Sequence, residues 1–480
     1  MSMNRREFLQ DSALAAAVAA SGILTQPLTA ADQASPSKGD KLRVAVIGVK
    51  GRGRDHISGF AGKHNCEVAI ICDADSAVIG PAMQAATKAQ GSEPKFVQDL
   101  RRVMDDKSID IVSIATPNHW HALSAIWALQ AGKDVYVEKP VSHNVSEGRR
   151  IVEAARKYNK ICQTGTQSRS MNGMKQSIAL VQSGKLGKVK LARGLCYKPR
   201  GSIGKVDGPQ QVPESCDYNL WCGPAPLKPL MRQRLHYDWH WTWDYGNGDL
   251  GNQGIHEMDK ARWGLGKEGL PQSVISLGGR FGYVDDGETA NTQICVFDYG
   301  TAPLIFEVRG LKTDPLRGAR IGNIFYCEQG VVVCPTYSSG IAYTNDGQEI
   351  QRFSGGGDHY GNFVQAVRER NPKLLAADIE EGHLSSALCH LGNISYLLGR
   401  VEANPNPAAI FGSDKDGLEA LERMLVHLKE NGVSFDSKTG LRVGRKLALD
   451  SQTETFVSDP EADRLLTREY RKGFEVPARL

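Results

Sequence analysis

The sequence predicts an α/β chain. A doubly wound parallel sheet is expected over residues 41–165, and an α+β domain on a mostly antiparallel sheet over 166–480. Three observations carry this. Short apolar runs alternate with helical patterns through the first part. The unusual punctuation, Gly48 to Gly53, Asp73, Thr116 to Asn118 and Glu138 to Pro140, lies at the strand ends where open α/β sheets bind ligands. After Gly165 the strands lengthen and turn clusters separate them.

The elements follow in order. Residues 1–31 join a basic segment, Asn4-Arg5-Arg6-Glu7-Phe8-Leu9-Gln10, to an Ala-rich apolar run ending in small residues. That run is too short to anchor permanently in a bilayer, and the twin arginine resembles a Tat export signal. A polar linker spans 32–40. Strands are then expected at 42–47, 67–72, 95–97, 110–115, 134–137 and 160–164, with helices at 55–62, 76–90, 119–132 and 146–159. Beyond Gly165 come a helix at 171–184 and strands that include 188–197, 273–278, 292–298 and 304–309. Helices follow at 359–370, 381–398 and 418–431, and the charged end is expected to wrap the surface. Residues 198–250, rich in Gly, Pro and Trp, form a long irregular excursion of the kind that is functional or sits at an interface.

Composition removes several classes. With 480 residues, 41% hydrophobic, 23% charged and a net charge of +4, the chain is neither collagen-like nor wholly disordered, and its charge gives no argument for nucleic acid. The ten cysteines show no Cys-x-x-Cys spacing and read as buried thiols, with one Cys216–Cys222 bridge left open.

Gly48-Val49-Lys50-Gly51-Arg52-Gly53 lies between the first strand and its helix. Glycines there let a backbone approach a pyrophosphate at a helix N-terminus, the Rossmann arrangement. Lys50 holds the usual second-glycine place, so Gly51 is expected to supply the close approach. Asp73, ending the second strand, suits the ribose hydroxyls of NAD. Arg52 and Arg54 leave NADP open.

Thr116-Pro117-Asn118-His119-Trp120-His121, followed by Gly132-Lys133-Asp134-Val135-Tyr136-Val137-Glu138-Lys139-Pro140, resembles the signature of the Gfo/Idh/MocA oxidoreductases. The resemblance implies that Lys139 lies at the nicotinamide and is catalytic, and that the Lys139–Pro140 peptide is cis. It also implies that Thr116, Pro117, Asn118, His121 and Glu138 contact the cofactor. A second resemblance runs through Asn252-Gln253-Gly254-Ile255-His256, where the family usually has Asp-x-Gly-x-His. It makes His256 a proton-transfer candidate and leaves Asn252 to orient groups. On one continuous helix, Asn252, His256 and Asp259 would share a face.

The aromatic segment 236–245 suits a sugar ring. His240, Trp241 and Tyr245, with Arg169 and Asp259, complete the substrate-side candidates. No local His or Glu spacing builds a metal site. The expectation is an exported, periplasmic NAD-dependent oxidoreductase that acts on a secondary hydroxyl of a carbohydrate, as a dimer or tetramer with no membrane span in the mature protein. Two alternatives stand beside it. One is redox-neutral glycoside cleavage or epimerisation through a keto sugar. The other is a non-catalytic sugar-binding protein on a degenerate dehydrogenase fold.

Overall fold

The computed structural model describes residues 39–436 and 439–480. The signal at 1–31, and the linker except Gly39 and Asp40, lie outside the described residues. β1 (Leu42–Ile47), β2 (Cys66–Cys72), β3 (Lys95–Val97), β4 (Ile111–Ile114), β5 (Asp134–Val137) and β6 (Cys162–Thr164) form one parallel sheet in the order β3-β2-β1-β4-β5-β6. Except in the edge strand β3, their apolar runs are buried on both faces, as strands sandwiched between helices must be. The helices are α1 (Gly53–Phe60), α2 (Gly80–Gln90), α3 (Arg101–Asp105), α4 (Asn118–Gln130) and α5 (Val145–Lys157). The strand order reverses between β1 and β4, which opens a crevice at their carboxyl ends.

Two local expectations change. The helix expected at 76–90 is divided into a 3-10 turn at Ser76–Val78 and α2, whose first turn holds Pro81. Proline fits a first turn because its missing N–H is unpaired there anyway. α3 has only five residues, too few to show a period.

The second part runs through α6 (Asn172–Gln182), β7 (Val189–Tyr197), α7 (Tyr218–Cys222), α8 (Gly248–Asn252) and α9 (Gly254–Gly264) to β8 (Ser273–Gly279), β9 (Thr292–Asp298) and β10 (Leu304–Arg309). β11 (Ile321–Cys327), β12 (Val331–Cys334), β13 (Ser339–Tyr343) and β14 (Glu349–Ser354) precede α10 (His359–Glu369) and α11 (Ile379–Leu397). The chain ends with β15 (Arg400–Glu402), α12 (Pro407–Phe411), α13 (Lys415–Glu430), β16 (Leu441–Val443), β17 (Leu447–Asp450), β18 (Thr455–Phe456) and the short helix α14 (Pro460–Asp463). The large sheet is ordered β14-β13-β12-β11-β7-β10-β9-β8-β16-β15, and only the β7–β10 pairing is parallel. Strand alternation feeds both faces. Cys295 and Phe297 join the core beneath α9 and α11, whereas Ile294 and Val296 pack with Leu421, Met424 and Leu428 of α13.

The end of the chain is more than a surface wrap. Leu447, Leu449 and Phe456 are buried with the large-sheet core, and Phe474 and Val476 enter the core around α4. All ten cysteines are free and buried, so Cys216 and Cys222 are not bridged. No helix among the described residues is long and apolar enough to cross a membrane.

Candidate active site

The crevice at the β1/β4 switch point is a cavity of about 660 Å³. Gly48 ends β1 with φ +85°, and a Cβ there would lie 2.7 Å from the Ala115 carbonyl oxygen. Gly53 starts α1, and its Cβ would lie 1.9 Å from the Gly48 oxygen. Only glycine closes this turn. Gly51 differs: a Cβ there meets nothing within 4 Å, because it faces the cavity. The fold therefore does not need a glycine at 51, although a ligand in the cleft would approach it.

Asp73 lies at the end of β2, where its carboxylate accepts from the Val49 N–H at 2.8 Å and the Asp75 N–H at 3.1 Å. Burial raises its pKa while those two bonds oppose the rise. Arg52 is committed to the protein: its Nε donates to Glu138 at 3.0 Å and its Nη1 to Asp55 at 2.9 Å. It is thus not held ready for a 2′-phosphate, which favours NAD. Thr116, Pro117 and Asn118 line the cleft, and Thr116 Oγ1 is buried with no hydrogen-bond partner among the described residues. Asn118 donates to Asn247 Oδ1 at 3.1 Å. The His121 ring sits between the Pro140 and Thr116 carbonyls at 2.6 and 2.7 Å, tying two strand ends together. A glycine turn at a helix N-terminus, a carboxylate one strand over and an unpartnered hydroxyl fit a dinucleotide.

At the other end, Glu138 is buried and accepts from His56 Nε2 at 3.1 Å as well as from Arg52. Burial alone would raise its pKa, but the His56 bond and the Arg52 charge hold it well below the usual carboxylate range. The Lys139–Pro140 peptide is cis. Lys139 lines the cleft, and its Nζ donates to the Asn252 carbonyl at 3.0 Å. Burial lowers its pKa against the pull of Glu138. His256 is buried beside Tyr337, with ring centroids 4.9 Å apart, and its Nδ1 has no partner among the described residues. Burial and the Lys139 charge keep the imidazole neutral.

Several expected site residues are placed otherwise. The helix expected through 252–259 breaks at Gln253, so Asn252 ends α8 while His256 and Asp259 belong to α9. Asn252 lines the cleft. Asp259 instead accepts from Arg169 Nε at 3.0 and 2.9 Å, and Arg169 also bonds Glu381 at 2.8 Å. These three close an ion cluster in which Arg169 and Asp259 are buried and Glu381 is half-exposed, and neither Arg169 nor Asp259 lines the cleft. Trp241 packs under Arg200, and Tyr245 packs against His119 and Trp221, so both serve the excursion's own core. His240 does line the cleft, and burial pushes its pKa down to about 3.

Sequence reasoning missed much of the outer wall. Leu220, Trp221, Leu235 and His236 of the excursion face Asp73 and Gln98 across the cleft, and His236 Nε2 lies 2.8 Å from Asp75 Oδ2. The excursion's composition marked it as functional, but nothing local told which strand ends it would cover. Lys198 was also missed; its Nζ donates to Gln253 Oε1 at 2.8 Å.

Comparison with known proteins adds the following. The model of an oxidoreductase family's NAD-binding Rossmann fold matches residues 42–166, and that of the same family's C-terminal alpha/beta domain matches 172–290. A glycosyl hydrolase family 109 protein of Shewanella pealeana is 37% identical over 185 residues, which is 34% of this chain and 39% of the relative. An inositol 2-dehydrogenase of Salmonella typhimurium is 28% identical over 181 residues, 37% of this chain and 52% of the relative. The chain thus matches about half or less of each curated relative's length. The structure of levoglucosan dehydrogenase in complex with NADH and levoglucosan has the same fold: TM-score 0.55 and 19% identity, covering 73% of this chain and 95% of that one.

Proposed function

Since the chain belongs to the Gfo/Idh/MocA oxidoreductase family, we propose that it is an exported NAD-dependent oxidoreductase acting on a secondary hydroxyl of a sugar, polyol or glycoside. The observation that carries this reading is Lys139. It stands at the carboxyl end of a parallel strand and lines the cleft, and its Nζ bonds only a backbone carbonyl among the described residues. Bound NAD supplies a hydride acceptor. The chain supplies the rest. Asp73, Thr116 and the Gly48–Gly53 turn hold the nucleotide. Glu138, clamped by Arg52 and His56, fixes the turn that presents Lys139. With its pKa lowered by burial, Lys139 can take the hydroxyl proton at a lower pH than an ordinary lysine could. The neutral His256 ring can accept a hydrogen bond from the same or a neighbouring hydroxyl.

Native mass spectrometry of protein purified without added nucleotide is expected to find bound NAD. A panel of sugars and polyols, followed at the nicotinamide absorbance, is then expected to find one that reduces it. Protein without nucleotide affinity, or one that no panel member reduces, overturns the proposal.

The similarity to a glycosyl hydrolase family 109 protein favours a second reading, redox-neutral glycoside cleavage. Oxidation of a hydroxyl acidifies the neighbouring C–H, which permits elimination of the aglycone. Release of an aglycone with no net change in the bound nicotinamide distinguishes it. Export rests on the segment Asn4 to Gln10. Changing Arg5 and Arg6 to Lys is expected to leave the precursor in the cytoplasm, and undiminished periplasmic protein would reject a Tat route. A homo-oligomer, dimer or tetramer, belongs to the same proposal and is read by sedimentation.

A further inference from the structure

The excursion that walls the cleft is fastened to the parallel-sheet domain unevenly. One rim, residues 214–221, is stitched down. The Ser215 carbonyl accepts from the Ser76 N–H at 3.0 Å and from Gln98 Nε2 at 3.1 Å, and the Asp217 N–H donates to the Ala74 carbonyl at 2.9 Å. Trp120 Nε1 donates to the Leu220 carbonyl at 2.8 Å, and His119 Nε2 lies 2.9 Å from the Trp221 carbonyl oxygen. The opposite rim, residues 230–240, brings Arg234, Leu235, His236, Tyr237, Trp239 and His240 to the cleft. Among the described residues one hydrogen bond joins this rim to the parallel-sheet domain, from His236 Nε2 to Asp75 Oδ2 at 2.8 Å.

That bond has a firm anchor. Asp75 Oδ1 accepts from the Ala77 N–H at 2.9 Å, and the Asp75 N–H donates to the Asp73 carboxylate at 3.1 Å. Burial alone would raise the Asp75 pKa, but the His236 bond, with others, holds it below the ordinary value, so the acceptor is a carboxylate. The rim is also self-supporting. Leu230, Leu235 and Trp239 pack with Trp221 and Tyr245 in one apolar cluster, and the Arg232 guanidinium lies 4.6 Å from the Trp221 ring centre. This cluster ties the free rim to the stitched one and does not depend on the His236 bond. Residues 230–240 can therefore lift as a unit about residues 214–221. His236 stands within electrostatic reach of Asp73 and His240 within reach of Lys139, so the rim spans the cleft from its ribose end to its nicotinamide end.

Resting on the NAD-dependent reading of the same cleft, we propose that residues 230–240 are a flap over the bound dinucleotide, pinned by His236 to Asp75, and that opening of this pin governs how fast NAD leaves. His236 is a positioning residue and takes no part in hydride or proton transfer.

The test loads the protein with isotope-labelled NAD, adds an excess of unlabelled NAD and follows exchange by native mass spectrometry. His236→Ala is expected to speed release about tenfold or more, the scale of a lost hydrogen bond to a charged group. His236→Gln, which keeps a side-chain donor, is expected to stay within about threefold of the wild type. Asp75→Ala is expected to speed release as His236→Ala does, and the double variant to add nothing further, because both remove one contact. Hydrogen exchange in His236→Ala is expected to rise in residues 230–240 and not in 214–221. Unchanged release in His236→Ala overturns the inference. So does a His236→Gln variant as fast as His236→Ala, a double variant whose effects multiply, or a rise in hydrogen exchange shared by both rims. The two proposals fail separately. NAD that leaves in a His236-dependent way but is reduced by no sugar removes the oxidoreductase reading alone. NAD that a sugar reduces, but whose release ignores His236, removes this inference alone.

Discussion

Lys139 lines the cleft, while His256, expected at the same site, lies buried beside Tyr337 on α9 and does not line it. Replacing either with Ala is expected to leave fold and nucleotide in place and to lower single-turnover reduction of bound NAD on the order of 100- to 10,000-fold. Near-normal hydride transfer in both variants would move the chemistry elsewhere. The pH dependence has a definite sign. The base is the neutral amine and burial lowers the Lys139 pKa, so the rate should rise with pH through that lowered value. Lys139→Ala should remove that limb from the pH–rate profile. Asp73→Ala is expected to weaken NAD about tenfold, or about 1.4 kcal/mol, and to relax discrimination against NADP. A wild type that already prefers NADP would show Arg54, or an Arg52 released from Glu138, to be in control. The family resemblance made Lys139 and His256 readable as candidates, and the place of Asp73 at a strand end made it readable.

The glycine turn between β1 and α1 separates folding from binding within six residues. At Gly53 a methyl group strikes the Gly48 carbonyl, so Gly53→Ala should destabilise by about 1–3 kcal/mol in denaturant unfolding. At Gly51 the space is open, so Gly51→Ala should change stability by less than about 0.5 kcal/mol and yet weaken the nucleotide. Unchanged nucleotide affinity in Gly51→Ala would mean that the ligand keeps clear of that residue. The α8–α9 break shows the limit of periodicity. Asn252, His256 and Asp259 fit one helical face by spacing, but the helix is interrupted at Gln253. Asp259 is then turned to Arg169, and Asn252 is left at the cleft.

Across the whole molecule, the C-terminal stretch joins the two sheets. Glu454 lies 2.9 Å from His383 Nε2 and bonds Arg149 at 2.6 Å, and Phe474 is buried against Trp120 of the first domain. Phe474→Ala is therefore expected to cost about 3 kcal/mol in denaturant unfolding. A cost under about 0.5 kcal/mol would return the tail to the surface role its charge implied. The sequence by itself determined the order of strands and helices in the first domain, the glycine turn, the carboxylate of Asp73 and the Lys139–Pro140 turn. These rest on local patterns: apolar runs, turn residues and fixed spacings along one stretch of chain. Only the tertiary structure decided that Arg169 and Asp259 neutralise one another, that Trp241 and Tyr245 pack inward and that the 198–250 excursion walls the cleft. Those outcomes depend on which distant charges and apolar faces meet. Pairing and burial are set by neighbours in space, and spacing along the chain does not carry them.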